Sequence, residues 1–550
     1  MQNGLLDIPS ITKKHWDAII IGTGFGGSMT ALRLANAGMD VLMLERGDWV
    51  VRDDSVWDVR SILIDRNYKA PSPYDADAWV GRSEVYPDMA VGGNSIFYGA
   101  ASLRLREFDF EARSHYGKIA DDLELVDWPI AYSDLAPYYD QVEHLLGVAG
   151  VAGQDPFEPP RNIDFCQEPA PYSTPARLLA ETGRKMGLSP FPLPLAINYG
   201  QDPKRENCIH CTTCDLFPCK ISAKNDLSVT VLPEALAQGA KLRPNTVAAK
   251  LLKKESRITG VECVDRKSGE RFALKSDVCI VSGGGVASAR LLQLSGLQNS
   301  PRNGDLIGRY LLRHCNGVVI GMFPFQTNPE QKFNKQVAFT DFYINRPENN
   351  GLKGPMGMLQ ALQVPPPEYI TSQAPAVIGQ IGAATTKLHM YLLCIAEDLP
   401  NPQNRVRLHD EKRDGFGLPI AKITSKYHKR DLRARRALYR EGAKILKQAG
   451  AFIRVKKPIN TYSHAVGTCR FGNSPDEAVL DPNCNFFGVP NLFVIDGSFM
   501  PTSGSVNPSL TIAANALRVA DYLANNWELH AARSKNADFA TQKTHAVLTS

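Results

Sequence analysis

A short apolar strand that runs into a glycine-rich turn, a helix and a second strand constrains the fold of this chain more than any other feature. Residues 17–21 (DAIII) form the first strand, the turn reads GTGFGG at residues 22–27, and a helix-like stretch follows to residue 37. The second strand, residues 40–44, ends at Glu45. This order predicts a dinucleotide-binding unit of an α/β fold.

Three glycines of this turn each have a physical role. Gly22 permits the tight turn, Gly24 lets a pyrophosphate approach the backbone, and Gly27 allows close packing of helix and strand. Phe25 starts the helix, whose amino end would face the phosphates, and Glu45 would accept hydrogen bonds from ribose hydroxyls. The pattern by itself does not separate FAD from NAD, and a glycine turn kept only for packing is the alternative.

A second glycine cluster, GGNSIFYG at residues 92–99, follows a loop rich in Asp and Tyr. Its residues Gly93, Asn94 and Ser95 are small or polar. They suit a backbone that passes close to a flat ring system and donates main-chain N–H groups to it. An ordinary turn is the alternative interpretation.

The carboxyl-terminal part repeats the sequence of strand, turn and helix. An apolar strand at residues 491–495 runs into Asp496 and Gly497, and a loop rich in Pro and Gly then carries Asn507 and Pro508 onto a helix. The amino end of that helix would offer N–H groups and a positive dipole end to a carbonyl or a developing anion.

Two side chains in this part are suited to chemistry, His464 in the segment HAVGT and Asn507. Histidine titrates near neutral pH, so His464 can accept a hydroxyl proton while hydride leaves the same carbon. Asn507 can orient the oxygen without titrating. The alternative is that His464 is a hydrogen-bonded turn residue and that Asn507 merely precedes a proline.

Together these segments resemble the glucose–methanol–choline (GMC) oxidoreductase family over nearly the whole chain. The resemblance is carried by GTGFGG with Glu45, GGNS, HAVGT, DGS after an apolar strand, and NP followed by SLTIAA. It implies a Rossmann-like FAD-binding domain and a substrate domain of a sheet with covering helices. It also implies that His464 and Asn507 flank the flavin N5 and the substrate oxygen.

An asparagine at position 507 resembles the cholesterol oxidase, pyranose oxidase and gluconate dehydrogenase branches of this family. Other stretches of the sequence resemble sugar-oxidising members, including glucoside dehydrogenases. Phe97 stands where some members tether the flavin to a His, so we expect non-covalent FAD.

The FAD-binding domain is expected to be discontinuous, because its first and last motifs lie near opposite ends of the chain. We predict this domain from residues 15–165, 205–320 and 462–530, a substrate-binding domain at 321–461, a linking or lid segment at 166–204 and a polar tail at 531–550.

Four of the eleven cysteines, Cys208, Cys211, Cys214 and Cys219, follow the spacing CxxCxxCxxxxC. Such spacing is typical of a loop around an iron–sulfur cluster, although a ferredoxin-type run has three residues before the last Cys and a proline after it. Here four residues intervene and Lys220 follows. The segment resembles one in gluconate dehydrogenase flavoproteins. A thiol-rich structural loop and a zinc site stay open as alternatives.

Composition narrows the class of protein. A hydrophobic content of 43%, a charged content of 22% and a net charge of +5 are ordinary for a soluble globular protein and favour neither nucleic acid nor a membrane surface as partner. We find no apolar run of membrane-spanning length and no secretory leader, so we expect a cytoplasmic protein with reduced thiols. A basic stretch at residues 426–447 is either a solvated helix face or a docking face for an acidic partner.

The predicted activity is FAD-dependent oxidation of an alcohol to a carbonyl, and a sugar or glycoside hydroxyl is the favoured substrate. His464 would be the base. A dehydrogenase that passes electrons to an acceptor protein or small subunit is favoured over an oxidase. The alternatives are a dioxygen-using oxidase of a non-sugar alcohol, an FAD-dependent lyase and an electron-transfer flavoprotein.

Overall fold

The computed structural model describes residues 6–77, 81–344, 352–373 and 375–531, so the expected polar tail lies outside them except for residue 531. The helices are α1 (Ile8–Lys13), α2 (Phe25–Asn36), α3 (Glu107–Phe110), α4 (Ala112–Tyr116), α5 (Tyr132–Leu145), α6 (Thr174–Lys185), α7 (Val231–Ala237), α8 (Ala287–Leu294), α9 (Pro367–Ser372), α10 (Ala376–Ala384), α11 (Lys429–Gln448), α12 (Ser509–Asn525) and α13 (Trp527–His530). The strands are β1 (His15–Ile21), β2 (Val41–Leu44), β3 (Tyr74–Asp77), β4 (Arg82–Val85), β5 (Val148–Ala149), β6 (Phe191–Pro192), β7 (Leu195–Ala196), β8 (Lys241–Arg243), β9 (Thr246–Lys254), β10 (Arg257–Asp265), β11 (Arg271–Val281), β12 (Gly317–Met322), β13 (Val337–Phe339), β14 (Gly357–Leu362), β15 (His389–Ala396), β16 (Arg405–Arg413), β17 (Pro419–Thr424), β18 (Ile453–Pro458) and β19 (Leu492–Val494).

The first sheet has the strand order β8-β2-β1-β11-β10-β9, with β19 paired to β11. Its centre is parallel: β1 pairs with β2 and β11, and β11 pairs with β19. The residues of β2 and β19 are all buried, as expected of parallel strands that are covered on both faces. The predicted strand, turn, helix and strand order at the amino terminus is confirmed.

The turn between β1 and α2 requires glycine at two places. Gly22 has φ +105°, a left-handed conformation that side chains rarely adopt, and a Cβ at Gly27 would lie 2.0 Å from the carbonyl oxygen of Gly22. The helix can therefore approach the sheet closely only because both positions lack a side chain.

The second sheet is antiparallel, with the strand order β18-β12-β15-β14-β13-β6. Helix α11 covers one face, where Gly442 packs against Val319 and Leu359. Successive side chains of a strand point to opposite faces, so Gln360, which follows Leu359 and pairs with Leu393, lies on the other face. That face is turned toward the loop before α12, as the contact between Gln360 and Asn507 shows.

Two further sheets complete the fold, one ordered β16-β17-β3-β4 and one formed by β5 and β7. Strand β12 crosses the predicted boundary at residues 320/321, and β6, from the predicted linking segment, joins the second sheet. The domain boundaries therefore stay a prediction. Within the described ranges, no helix is long and apolar enough to cross a membrane.

Candidate active site

The glycine turn lies at the carboxyl edge of the first sheet, directly beside the second glycine cluster. The backbone N–H of Gly92 donates to Oγ1 of Thr23 at 2.9 Å, and a Cβ at Gly93 would lie 3.0 Å from Cα of Gly24. Oε2 of Glu45 accepts from the Thr23 hydroxyl at 2.7 Å and from its N–H at 3.1 Å. Glu45 thus also braces the turn, and the two clusters form one surface.

This surface fits the pyrophosphate of a dinucleotide. Helix α2 begins after Gly24 without a side-chain cap, so its first N–H groups are left for another acceptor. A Cβ at Gly24 would meet nothing within 4 Å, so the space in front of that backbone is open. An open glycine at an uncapped helix amino end is what anion binding requires.

Other predicted residues of the cofactor site serve the fold through their side chains. The hydroxyl of Ser95 donates to the carbonyl oxygen of Gly92 at 2.7 Å and accepts from the N–H of Leu227 at 3.0 Å. The side chain of Asn94 is exposed. The binding roles predicted for these residues stay predictions.

The carboxyl-terminal segment reaches the same edge of the sheet. A Cβ at Gly26 would lie 1.7 Å from the carbonyl oxygen of Ile495, so the end of β19 lies against the start of α2. Asp496 accepts hydrogen bonds from the N–H of Gly284 at 2.8 Å and from the hydroxyl of Ser288. The loops after β1, β11 and β19 therefore meet, although their sequences are hundreds of residues apart.

The segment that carries His464 runs beside Gly497. The N–H of Gly467 donates to the carbonyl oxygen of Gly497 at 3.1 Å. Burial lowers the pKa of His464 well below the usual value for histidine, and the neighbouring His314 and Lys335 lower it further. His464 is consequently neutral at physiological pH.

The ring of His464 contacts a second imidazole. Its Nδ1 lies 2.9 Å from Nδ1 of His314, and the two rings are perpendicular with centroids 5.0 Å apart. In the described part of the chain this is the only hydrogen bond of the His464 ring, so its Nε2 is free to form another.

Asn507 lies two residues before α12, with Pro508 as the residue that caps the helix. Oδ1 of Asn507 accepts from Nε2 of Gln360 at 2.7 Å. Gln360 is fully buried on the inner face of the second sheet. Because Oδ1 is occupied, the Nδ2 group of Asn507 is the part of the side chain left to donate.

His314 links His464 to the loop that precedes Asn507. Its Nε2 lies 2.8 Å from the carbonyl oxygen of Gly504 and 3.3 Å from that of Ser503, in the loop that leads to Asn507. The structure thus brings His464 and the loop of Asn507 together through one side chain.

Sequence reasoning missed His314, Gln360 and Asp398. Asp398 accepts hydrogen bonds from the backbone N–H of His314 at 3.0 Å and from the Ser503 hydroxyl at 3.0 Å. His314 and Asp398 lie in the stretches GRYLLRH and EDLPNP, which are the available signals. Nothing in the sequence around Gln360 marks it.

The four-cysteine loop packs beneath the second glycine cluster. The buried ammonium of Lys224 donates to the carbonyl oxygens of Tyr98, Cys214 and Phe217 at 3.0, 3.1 and 2.7 Å. Burial raises the pKa of the Cys208 thiol to about 11, and burial likewise raises that of Cys214. These two thiols are therefore protonated at neutral pH.

The structure does not support the predicted iron–sulfur cluster at Cys208, Cys211, Cys214 and Cys219. Among the residues that it describes, no group of three or more His, Cys, Asp or Glu side chains is arranged to hold a metal ion. The spacing of the cysteines permits a cluster, but the path of this loop is set by carbonyl groups that converge on Lys224.

Comparison with known proteins identifies the family. Models of the GMC oxidoreductase family match residues 89–316 and residues 400–516. The chain belongs to the GMC oxidoreductase family. It is an FAD-dependent oxidoreductase that acts on CH–OH donors, and its α/β fold is the GMC fold.

Curated GMC relatives are similar over nearly their whole length. The 6'''-hydroxyparomomycin C oxidase of Streptomyces lividus is 30% identical, with 94% of this chain and 93% of the relative covered. The 2-methyl-1,2-propanediol dehydrogenase of Mycolicibacterium austroafricanum is 28% identical, with coverage of 93% and 95%. The fructose dehydrogenase large subunit of Gluconobacter japonicus is 26% identical, with coverage of 93% and 98%.

A solved structure agrees with the GMC fold. Pyridoxine 4-oxidase from Mesorbium loti superposes with a TM-score of 0.66 at 19% identity, over 93% of this chain and 99% of that chain. At this identity the similarity establishes the fold alone.

Proposed function

We propose that this GMC oxidoreductase oxidises a hydroxyl group of a sugar or related polyol to a carbonyl, with His464 as the base. The observation that carries the proposal is the neutral, half-buried imidazole of His464, whose Nε2 has no partner among the described residues. FAD, when bound at the cradle of Gly22, Gly24 and Gly93, supplies the acceptor for the hydride that leaves the alcohol carbon.

His464 takes the hydroxyl proton at Nε2. Because desolvation lowers its pKa, this imidazole stays unprotonated at pH values where a fully solvated one begins to gain a proton, so the base is available without a preceding deprotonation. The second nitrogen of the ring is engaged by His314, which prevents the ring from turning away.

Asn507 holds the substrate oxygen. Its Oδ1 accepts from Gln360, so its Nδ2 group is directed to donate to the oxygen from which His464 removes the proton. An amide in this role keeps the same charge over the whole pH range. Proton removal and oxygen positioning are thereby assigned to different groups.

FAD is expected to bind without a covalent link. The resident side chain at the position of attachment in some relatives is Phe97, which offers no nucleophile. Glu45, Phe25, Asp496 and Pro508 complete the proposed cofactor contacts around the turn and the two helix starts.

A hydroxyl-rich substrate is supported by the polar groups on the inner face of the second sheet. His389, Tyr391 and Leu393 are every second residue of β15, so their side chains point to one face. Gln360 pairs with Leu393 and shares that face. Both ring nitrogens of His389 and Oε1 of Gln360 are buried without a hydrogen-bond partner in the described structure. Unsatisfied buried polar groups are costly unless a ligand completes them. The sugar-related GMC relatives point to the same class of substrate.

The decisive experiment is anaerobic reduction of the enzyme-bound flavin, followed by its absorbance in a stopped-flow instrument with a panel of sugars and diols. His464→Ala should slow reduction by about two to four powers of ten, the usual contribution of a positioned base. His144→Ala, an exposed histidine on α5, is the matched control and should reduce at the normal rate.

The rival functions give different results in the same experiment. A lyase would convert substrate without bleaching the flavin. In an electron-transfer flavoprotein, His464→Ala would leave the rate of flavin reduction unchanged. We favour a dehydrogenase, so reoxidation by a quinone or a ferricenium ion should be faster than reoxidation by dioxygen. In this proposal the electrons pass to an acceptor protein or small subunit, and the enzyme is located in the cytoplasm.

A further inference from the structure

The contacts of His314 determine where its proton lies. Nε2 of His314 faces only carbonyl oxygens, those of Gly504 at 2.8 Å and Ser503 at 3.3 Å. A carbonyl oxygen accepts and cannot donate, so Nε2 must carry the hydrogen. Burial lowers the pKa of His314, and the ring is therefore neutral with a bare Nδ1.

The bare Nδ1 of His314 fixes the proton of the neighbouring ring. At 2.9 Å from it, Nδ1 of His464 has to be the donor, because two bare nitrogens at this distance would repel each other. A neutral imidazole carries one hydrogen, so Nε2 of His464 is left as an unprotonated lone pair. The opposite tautomer would place a hydrogen on Nε2 and could not accept one from an alcohol.

We propose that His314 is a positioning residue that holds His464 in the tautomer with Nδ1 protonated and Nε2 free to act as the base. The inference rests on the proposed role of His464 and deepens it. His314 acts through His464 and not through the substrate.

Hydrogen bonds hold the backbone and the ring of His314. Its φ is +57°, in the left-handed region that most side chains avoid but that histidine, like Asn and Asp, adopts more readily. Asp398 accepts the N–H of His314, and the Tyr427 hydroxyl donates to its carbonyl oxygen at 2.8 Å. The direction of the ring is set by Asp398 at the backbone N–H and by the carbonyl oxygens of Gly504 and Ser503 at Nε2.

Charged groups around the pair shift the pKa values of the two rings in opposite directions, while burial lowers both and keeps the rings neutral. Asp398 raises the pKa of His314, as do the carbonyl groups of Gly504 and Ser503, but burial outweighs them. Lys335 acts on His464 in the opposite direction and lowers its pKa. Protonation of His314 would put hydrogen on both of its nitrogens and force Nδ1 of His464 to accept, which switches the base off.

Two substitutions separate the acceptor at Nδ1 from the donor at Nε2. His314→Asn places an amide oxygen near the position of Nδ1 and suits the left-handed backbone. His314→Gln reaches the position of Nε2 with its amide and leaves no acceptor for His464. Tyr427→Phe is the matched control, because it removes a hydrogen bond to the same residue without changing the imidazole.

The measured quantities are the limiting rate of flavin reduction and the substrate concentration at half-maximal rate, in FAD-loaded enzyme. We expect His314→Gln to reduce flavin about 10- to 100-fold more slowly, the usual effect of removing such a supporting contact, at an unchanged half-saturating concentration. His314→Asn should recover most of the rate, and Tyr427→Phe should stay within about threefold of the parent enzyme. Equal rates for the Asn and Gln variants, or an equal loss in Tyr427→Phe, would overturn the proposal.

A second measurement does not depend on activity. In enzyme labelled with ¹⁵N at histidine rings, the signals that disappear in His464→Asn belong to His464. We expect the hydrogen of this ring on Nδ1 in the parent enzyme and, in part or wholly, on Nε2 in His314→Gln. A hydrogen on Nε2 in the parent enzyme contradicts the inference. If His464→Ala reduces flavin normally, the proposed function fails, whereas the ¹⁵N result still decides the tautomer.

Discussion

Gln360 donates from Nε2 to Oδ1 of Asn507 at 2.7 Å, a contact between the inner face of the second sheet and the loop before α12. The two side chains belong to different parts of the fold. Their contact occupies Oδ1 of Asn507 and leaves its Nδ2 group as the end of the amide that is free to donate.

Substitution of Gln360 should therefore impair the orientation of the substrate oxygen. We expect Gln360→Leu to lower the limiting rate of flavin reduction by about tenfold, the cost of one lost hydrogen bond, because the Asn507 amide can then rotate. Met358→Leu is the matched control: its sulfur also contacts Nε2 of Gln360, at 3.4 Å, but not Asn507. Similar rates for both variants would show that Gln360 does not orient Asn507.

The pH dependence of flavin reduction should reflect a base with a lowered pKa. Burial lowers the pKa of His464 from an ordinary value of 6.5, so the active neutral form persists as the pH falls through 6.5. The rate should be constant from about pH 8 to about pH 6.5 and should fall only in more acidic buffer. Stopped-flow rates across this range measure the position of the acid limb.

Lys335 offers a test of the sign of that pH dependence. Its ammonium, paired with Asp215 at 2.9 Å, lowers the pKa of His464. Lys335→Gln removes the positive charge and leaves the carboxylate, and both changes favour protonated His464. The acid limb should move to higher pH. A shift in the other direction would contradict the assignment of the limb to His464.

Two glycines of the turn should respond in different ways to the same substitution. A Cβ at Gly24 meets open space, whereas one at Gly27 would lie 2.0 Å from a carbonyl oxygen. Gly24→Ala should fold normally but bind FAD at least about tenfold more weakly, because the methyl group enters the space of the pyrophosphate. Gly27→Ala should lower the thermal midpoint even without FAD. Fluorescence titration and thermal unfolding measure the two effects, with the exposed Gly415→Ala as control.

Lys224 should be essential for the stability of the four-cysteine loop. Its side chain is 1% exposed and satisfies three carbonyl groups. Lys224→Met leaves these groups buried without a donor and should reduce the free energy of unfolding by about 2–4 kcal/mol. Lys220→Met, at a partly exposed lysine paired with Asp54, should change it by less than about 1 kcal/mol. Thermal unfolding of both variants gives the comparison, and equal losses would be inconsistent with the role of Lys224.

Much of the nucleotide end was predictable from local sequence. The strand at residues 17–21, the turn and the helix that follows appear as β1 and α2, and the predicted strand at 491–495 appears as β19 (Leu492–Val494). Periodicity and glycine placement act over a few residues, so neighbouring side chains suffice to specify these elements. The four cysteines show the limit of such reasoning, because their spacing does not reveal that the loop is organised by Lys224.

The sequence by itself determined the family, the glycine turn and the two residues, His464 and Asn507, that we propose for the chemistry. Only the tertiary structure decided which groups control those two residues, namely His314 for the base and Gln360 for the amide. The physical reason is that a tautomer or an amide orientation depends on a partner within about 3 Å. Here each partner comes from a segment more than a hundred residues away in the chain, which no local pattern can specify.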